Sequence, residues 1–232
     1  MSTSVNKELI KQNSISDSYS LKFSKMTKVN LAVIYYSATG ASYKLASWAA
    51  EAGQEGGAEV RLLKVQELAP EAAIVANPAW KKHRDEALNI PTVSLADLEW
   101  ADAIIFSVPT RYGNAPSQVQ QFLDTTGTLW YEGKLQNKVV SAMTTAAYPH
   151  GGQEATLISL YLTMMHWGAI IATPGFHDPA TYSAGGNPYG ASATVDTDGN
   201  IKEDVQEAVN FQAKRTVQVA ESIKRGLQMQ DF

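Results

Sequence analysis

The chain has 232 residues, 44% hydrophobic and 18% charged, with a formal net charge of −4. That balance belongs to a globular protein with a substantial core, and its acidic surface argues against nucleic acid as a partner. There is no cysteine, which removes disulfides, iron–sulfur clusters and thiol nucleophiles, fits a reducing cytoplasm, and leaves any redox chemistry to a bound cofactor.

The stretch from Met1 to Lys28 mixes Ser, Asn and Lys with scattered apolar residues. It lacks both the compact apolar segment and the small-residue cleavage site of a secretory signal, and is expected to be a polar extension. No apolar run approaches the roughly 20 residues that span a bilayer, so no membrane insertion is expected. From Val29 to Tyr35 the chain is almost continuously apolar, as a strand buried on both faces requires. A polar loop follows, then a helix from Ser42 to about Glu55 that Gly56-Gly57 ends, then a second strand from Glu59 to Leu63.

The segment from Glu67 to Pro91 is irregular and reads as an insertion with a helical turn or two. Asp102 to Val108 is a third strand, Ser117 to Thr126 a helix, Lys138 to Thr144 a fourth strand and Glu154 to His166 a helix. A fifth strand is expected at Ala169 to Thr173. The Gly/Pro/Ser-rich stretch from Pro174 to Asp204 reads as a long irregular connection that packs on neighbouring subunits and helps to wall the site. Val205 to Arg225 closes the chain as a helix. Five alternations of strand and helix define an α/β protein with a doubly wound five-stranded parallel sheet and helices on both faces. A single domain over residues 29–232 is expected, with ligands bound beyond the carboxyl ends of the strands.

Three loops fall at that edge. Ser37-Ala38-Thr39-Gly40-Ala41-Ser42 joins the first strand to a helix start, where unpaired N–H groups and the positive end of the helix dipole favour a phosphate. It contains neither G-x-x-x-x-G-K-[ST] nor G-x-G-x-x-G, which leaves a monophosphate held by neutral donors; a plain turn with an N-cap is the alternative. The acidic residues of a phosphate-receiver domain are absent. After the third strand, Pro109-Thr110-Arg111-Tyr112-Gly113 offers backbone, an aromatic ring and a cation to a flat heteroaromatic ligand. After the fourth, Thr144-Thr145-Ala146-Ala147 and Gly151-Gly152 let a planar ring approach closely. His83, His150 and His177 lack ligand spacing, so no metal is expected. Asp196 to Asn200 lacks the final Glu of a calcium loop and reads as a hairpin turn.

Beyond these readings, the chain resembles the WrbA-type NAD(P)H:quinone oxidoreductases, a multimeric flavodoxin-like family. The resemblance is carried by Tyr35-Tyr36-Ser37-x-x-Gly40, Pro109-Thr110-Arg111-Tyr112-Gly113-Asn114, Phe122-Leu123-Asp124-x-Thr126-Gly127-x-Leu129-Trp130, Gly151-Gly152-Gln153-Glu154, His166-x-Gly168 and Gly185-Gly186-x-Pro188-Tyr189-Gly190-Ala191. It implies a flavodoxin-like fold, FMN, NADH or NADPH as electron donor, a quinone as acceptor and a homotetramer. Ser37 to Ser42 would then bind the phosphate, and Pro109 to Gly113 with the Thr144 and Gly151 loops would line the isoalloxazine. His166, from the end of the following helix, would complete the pocket and act with Arg111 in catalysis, and Trp130, with Thr39, would face the substrates. Two departures stand out: Thr39 replaces a usual aromatic residue, and Ala146 to His150 replaces a glycine-rich segment. The competing reading is a flavodoxin-like electron-transfer protein without a small-molecule substrate.

Overall fold

The structure is a computed structural model that describes residues 28–228; the extension ahead of Lys28 lies outside the described residues. The elements in chain order are β1 (Asn30–Tyr35), α1 (Ala41–Glu55), β2 (Glu59–Lys64), α2 (Glu71–Val75), α3 (Pro78–Glu86), α4 (Leu95–Trp100), β3 (Ala103–Pro109), α5 (Ser117–Asp124), α6 (Gly127–Tyr131), β4 (Val139–Ala146), α7 (Gln153–His166), β5 (Ile170–Ile171), α8 (Pro179–Ser183), β6 (Ser192–Thr194) and α9 (Gln206–Gln228).

All strand pairings are parallel and the order is β2-β1-β3-β4-β5, with β6 also on β4. The apolar runs of β1, β3 and β4 are buried along nearly their whole length, because helices cover both faces. The two-residue period of a strand divides the core. Leu31, Val33 and Tyr35 point to the layer of α1 and α9. Ala32, Ile34 and Tyr36 point to the layer of α4, α5, α6 and α7. The insertion after β2 contains α2 and α3. Asn77 caps α3 by accepting from the Trp80 amide, with Pro78 at the first helical position.

The fifth position in the sheet differs from the expected single strand. β5 pairs only with Val139 and Val140, and β6 pairs with Thr144 to Ala146 on the same edge. Between them the insert leaves the sheet, forms α8 and returns. At the gap, β4 keeps its polar groups satisfied through side chains. The Ala142 amide donates to the Tyr161 hydroxyl, which itself donates to the Tyr189 carbonyl at 2.6 Å. The Ala142 carbonyl accepts from Gln212 Nε2 at 2.9 Å, while Gln212 Oε1 accepts from the Ala191 amide. The insert passes so close that a Cβ on Gly190 would lie 2.0 Å from the Ala142 oxygen. The stretch from Pro174 to Asp204, expected to lack regular structure, therefore carries α8, β6 and a hairpin and is held by its own chain. Backbone pairing and two distant side chains fix it, and neither leaves a periodic signal in the local sequence.

Candidate functional site

The site begins where β1 ends. Gly40 takes φ 96 as the residue preceding α1, a conformation that suits glycine, and its amide donates to Ser37 Oγ at 3.0 Å. The amides of Ala41, Ser42 and Tyr43 have no protein acceptor among the described residues, as the first turn of a helix dictates. Ser42 itself faces inward. Its hydroxyl lies 3.0 Å from that of Thr145, and its carbonyl accepts from Ser107 Oγ at 2.7 Å. The loop after β1 is thereby tied to the ends of both β3 and β4. On the outer side it is braced by the hairpin of Asp196 to Asn200. Asp196 caps that turn through the amides of Asp198 and Asn200, as expected for a turn. A Cβ on Gly199 would lie 2.5 Å from the carbonyl and hydroxyl oxygens of Thr39.

The loops after β3 and β4 are pressed together. Arg111 and Asn114 exchange both backbone bonds, at 2.8 and 3.0 Å. The turn they close holds Tyr112 at φ 53 with its side chain in solvent, a conformation costly for a non-glycine residue. The Thr110 amide donates to the Thr145 carbonyl, and the Gly113 amide to Thr110 Oγ1. Thr156 Oγ1 donates to the same Thr110 oxygen at 2.7 Å. Gly152, at φ 89 before α7, sits so near that a Cβ there would lie 2.7 Å from Gly113 Cα. Pro109 to Gly113, Thr144 to Ala147 and Gly151-Gly152 thus share one edge with Ser37 to Ser42. The Thr144 hydroxyl is buried at that edge without a partner. The Arg111 guanidinium donates to the Thr110 carbonyl and, among the described residues, has no carboxylate partner within salt-bridge distance.

One element of the site has no counterpart among the sequence motifs. Glu67, just past β2, accepts from the Tyr36 hydroxyl, Trp80 Nε1, Gln118 Nε2 and the amides of Leu68 and Ala69. Burial by itself would raise the Glu67 pKa. The Ala69 amide, Gln118, Tyr36 and the Leu68 amide outweigh burial and hold the carboxyl below its ordinary value. One carboxylate therefore joins the end of β1, the insertion and α5. The only local hint is an acidic residue directly after a strand.

Trp130 and His166 lie elsewhere. The Trp130 indole donates to the His166 carbonyl at 2.8 Å, and His166 ends α7, whose other end is Gly152. Fourteen helical residues span about 20 Å, so within one chain this pair stands at the opposite edge of the sheet from the three loops. Between the two ends, Ile158, Leu162 and Met165 expose an apolar stripe on the outside of α7, with Tyr131 beside it at the far end. No helix among the described residues is long and apolar enough to cross a membrane.

Comparison with known proteins agrees with this arrangement. Residues 29–177 match the family model described as NADPH-dependent FMN reductase. The chain is 49% identical over 191 residues to a protein of Deinococcus radiodurans named NAD(P)H dehydrogenase (quinone), covering 82% of this chain and 95% of that one. A protein of the same name from Archaeoglobus fulgidus is 39% identical, again over 82% of this chain and 97% of its own length. Among solved structures, a WrbA-like flavodoxin from Agrobacterium tumefaciens superposes with a TM-score of 0.54 at 21% identity, covering 85% of this chain and 99% of that one. The flavodoxin of Megasphaera elsdenii gives 0.51 at 14% identity, covering 81% and 98%. These two similarities establish the flavodoxin-like fold.

Proposed function

Because the chain belongs to the NADPH-dependent FMN reductase family, alongside proteins named NAD(P)H dehydrogenase (quinone), we propose that it is an FMN-dependent oxidoreductase carrying two electrons from NADH or NADPH to quinones. The observation that carries this reading is the meeting of three strand-end loops at a single edge of the sheet, with helix amides that find no acceptor among the described residues. Those groups suit a phosphorylated planar ring: anion donors at the start of α1, and glycine-opened backbone where the loops after β3 and β4 touch.

In this reading Ser37, Ala38, Thr39, Gly40, Ala41 and Ser42 hold the phosphate, chiefly through amides, since the Ser42 hydroxyl is already bonded to Thr145. Pro109, Thr110, Arg111, Tyr112 and Gly113 line one side of the ring, and Thr144, Thr145, Ala146, Ala147, Gly151 and Gly152 the other. FMN, when bound, supplies the electron chemistry between nicotinamide and quinone. Arg111 supplies a cation with no neutralising carboxylate among the described residues, which favours an electron-rich ring beside it. Strained Tyr112 and the open loop from Ala147 to His150 leave the outer side free for flat substrates, which the site orients one after the other.

His166, at the far end of α7, and Trp130 of α6, bonded to its carbonyl, are too far away to reach a ring held by their own chain. We assign them to the site of a neighbouring copy in a homotetramer, with the apolar stripe of α7 as part of the contact. There Trp130 supplies a stacking face and His166 an imidazole. Residues 29–232 act as one domain in the cytoplasm.

The test is spectroscopic. FMN titrated into purified protein is expected to bind saturably at one equivalent per chain, bleach with anaerobic NADH and recover with benzoquinone. Absence of uptake sinks the assignment; uptake with no quinone-stimulated NADH oxidation favours the electron-transfer protein. Light scattering reads the tetramer, and Trp130→Ala is expected to slow quinone turnover without loss of FMN.

A further inference from the structure

A second concavity lies on the other side of β1 from β3. It is a cleft of about 300 Å³ between the ends of β1 and β2 and the insertion helix α3, lined by Tyr35, Lys64, Glu67, Trp80 and His83 among others. It opens beside Ser37, the first residue of the phosphate loop, but the three-loop cradle does not use it. Three features mark it as a binding site.

Its rings are clustered: Tyr35 and His83 lie with Tyr43 at centroid distances of 5.2 to 6.1 Å, and Trp80 adds an indole fixed by Glu67. Two of its polar side chains are unspent, although Glu67 and Trp80 are bonded to each other. Among the described residues the buried Tyr35 hydroxyl has no partner and the His83 ring makes no hydrogen bond. Burial lowers the His83 pKa, so the imidazole is neutral near pH 7, with one donor and one acceptor nitrogen. Its cation is also available. Lys64 gives one N–H to the Ala87 carbonyl at 2.6 Å and, among the described residues, has no carboxylate within salt-bridge distance, leaving two of its three donors.

Aromatic walls, neutral donors and acceptors, and one free ammonium suit a neutral nitrogen heterocycle joined to phosphate. We propose that this cleft seats the adenosine end of the nicotinamide dinucleotide, with the bridging phosphates towards Lys64 and the nicotinamide end directed past Ser37 to the three-loop edge. The inference rests on the oxidoreductase reading above and adds to it a subsite for the half of the donor that does not react. Binding energy from that half lowers KM and leaves the chemical step to the other edge of β1.

Thr92 is exposed at the cleft, so Thr92→Trp fills it from the surface without touching the core. In FMN-loaded protein, calorimetry with ADP-ribose is expected to show one site per chain in the wild type and binding at least about tenfold weaker in the variant. With benzoquinone as acceptor, the variant's KM for NADH is expected to rise about tenfold with kcat nearly unchanged. Its KM for reduced nicotinamide riboside, which lacks the adenosine, should stay as in the wild type. Lys64→Gln is expected to weaken ADP-ribose more than adenosine. The proposal is overturned if ADP-ribose does not bind, if the variant binds it normally, or if both electron donors lose equally. An enzyme that binds ADP-ribose but reduces no quinone would instead refute the oxidoreductase reading and leave the cleft standing.

Discussion

At the amino-terminal end of the sheet the polar groups are paired with one another. Asp102 accepts from the Asn30 amide at 2.8 Å and from Lys224 Nζ at 2.6 Å, and Lys138 donates to the carbonyls of Glu99 and Ala101. At the carboxyl-terminal end the same strands finish in loops with open helix amides, an orphan threonine hydroxyl, a tyrosine at positive φ and two glycines nearly in contact. The first end is closed and the second is built but unsatisfied. The difference separates what holds the fold from what awaits a ligand, since buried polar groups without partners cost free energy unless something else supplies one.

Four experiments test that contrast. The largest effect is expected at the open end. Gly152→Val drives a side chain into Gly113 and should raise the FMN dissociation constant about a hundredfold, or roughly 2.7 kcal/mol, measured by flavin fluorescence quenching. A change under threefold would show that the glycine contact does not shape the cradle. Next is Glu67→Ala, which leaves Tyr36 and Trp80 without their acceptor and takes one of two from Gln118. It should cost about 2 kcal/mol in urea unfolding and weaken FMN as well, with Glu67→Gln in between. At the closed end, Asp102→Ala is expected to cost about 1.5 kcal/mol of stability while FMN binds as before. Any loss of FMN affinity there would contradict the division of labour.

The smallest effect is a pH slope. Unfolded His83 takes its proton near pH 6.5, whereas the folded residue takes it only at lower pH, because burial opposes the imidazolium, with Glu86 favouring it and Lys64 opposing it. The unfolded chain binds the extra proton between those two values. Stability is therefore fully present above the unfolded pKa and falls as pH drops below it. Denaturation midpoints between pH 8 and 5 should fall less steeply in His83→Phe than in the wild type, and equal slopes would remove His83 from the account.

The strands and long helices were readable because both-face burial writes near-continuous apolar runs and helix packing writes a 3.6-residue period. Val29 to Tyr35 and Asp102 to Val108 illustrate the first, and Val205 to Arg225 the second. The loops after β1, β3 and β4 could be placed at one edge from strand alternation alone. What escaped notice was set by distant partners. Glu67 is meaningful only once Trp80 and Gln118 fold back to it, and the broken fifth strand only once Tyr161 and Gln212 reach Ala142. The helical turn or two expected between Glu67 and Pro91 is α2 and α3, their bounds hidden by prolines at their starts, while α6, opening at Gly127, was not read. Trp130 and His166 share motifs with the site, yet the length of α7 separates them from it in their own chain.

The interrupted fifth strand carries one more consequence. An intact terminal strand displays a row of unpaired amides and carbonyls that a foreign strand can zip onto. Here that border is a two-residue piece and a three-residue piece separated by an insert. The opposite border, β2, carries Glu59, Arg61 and Lys64 along its short length. Neither flank is an intact, uncharged template for sheet extension, so the sheet of one copy offers a neighbouring strand little to zip onto.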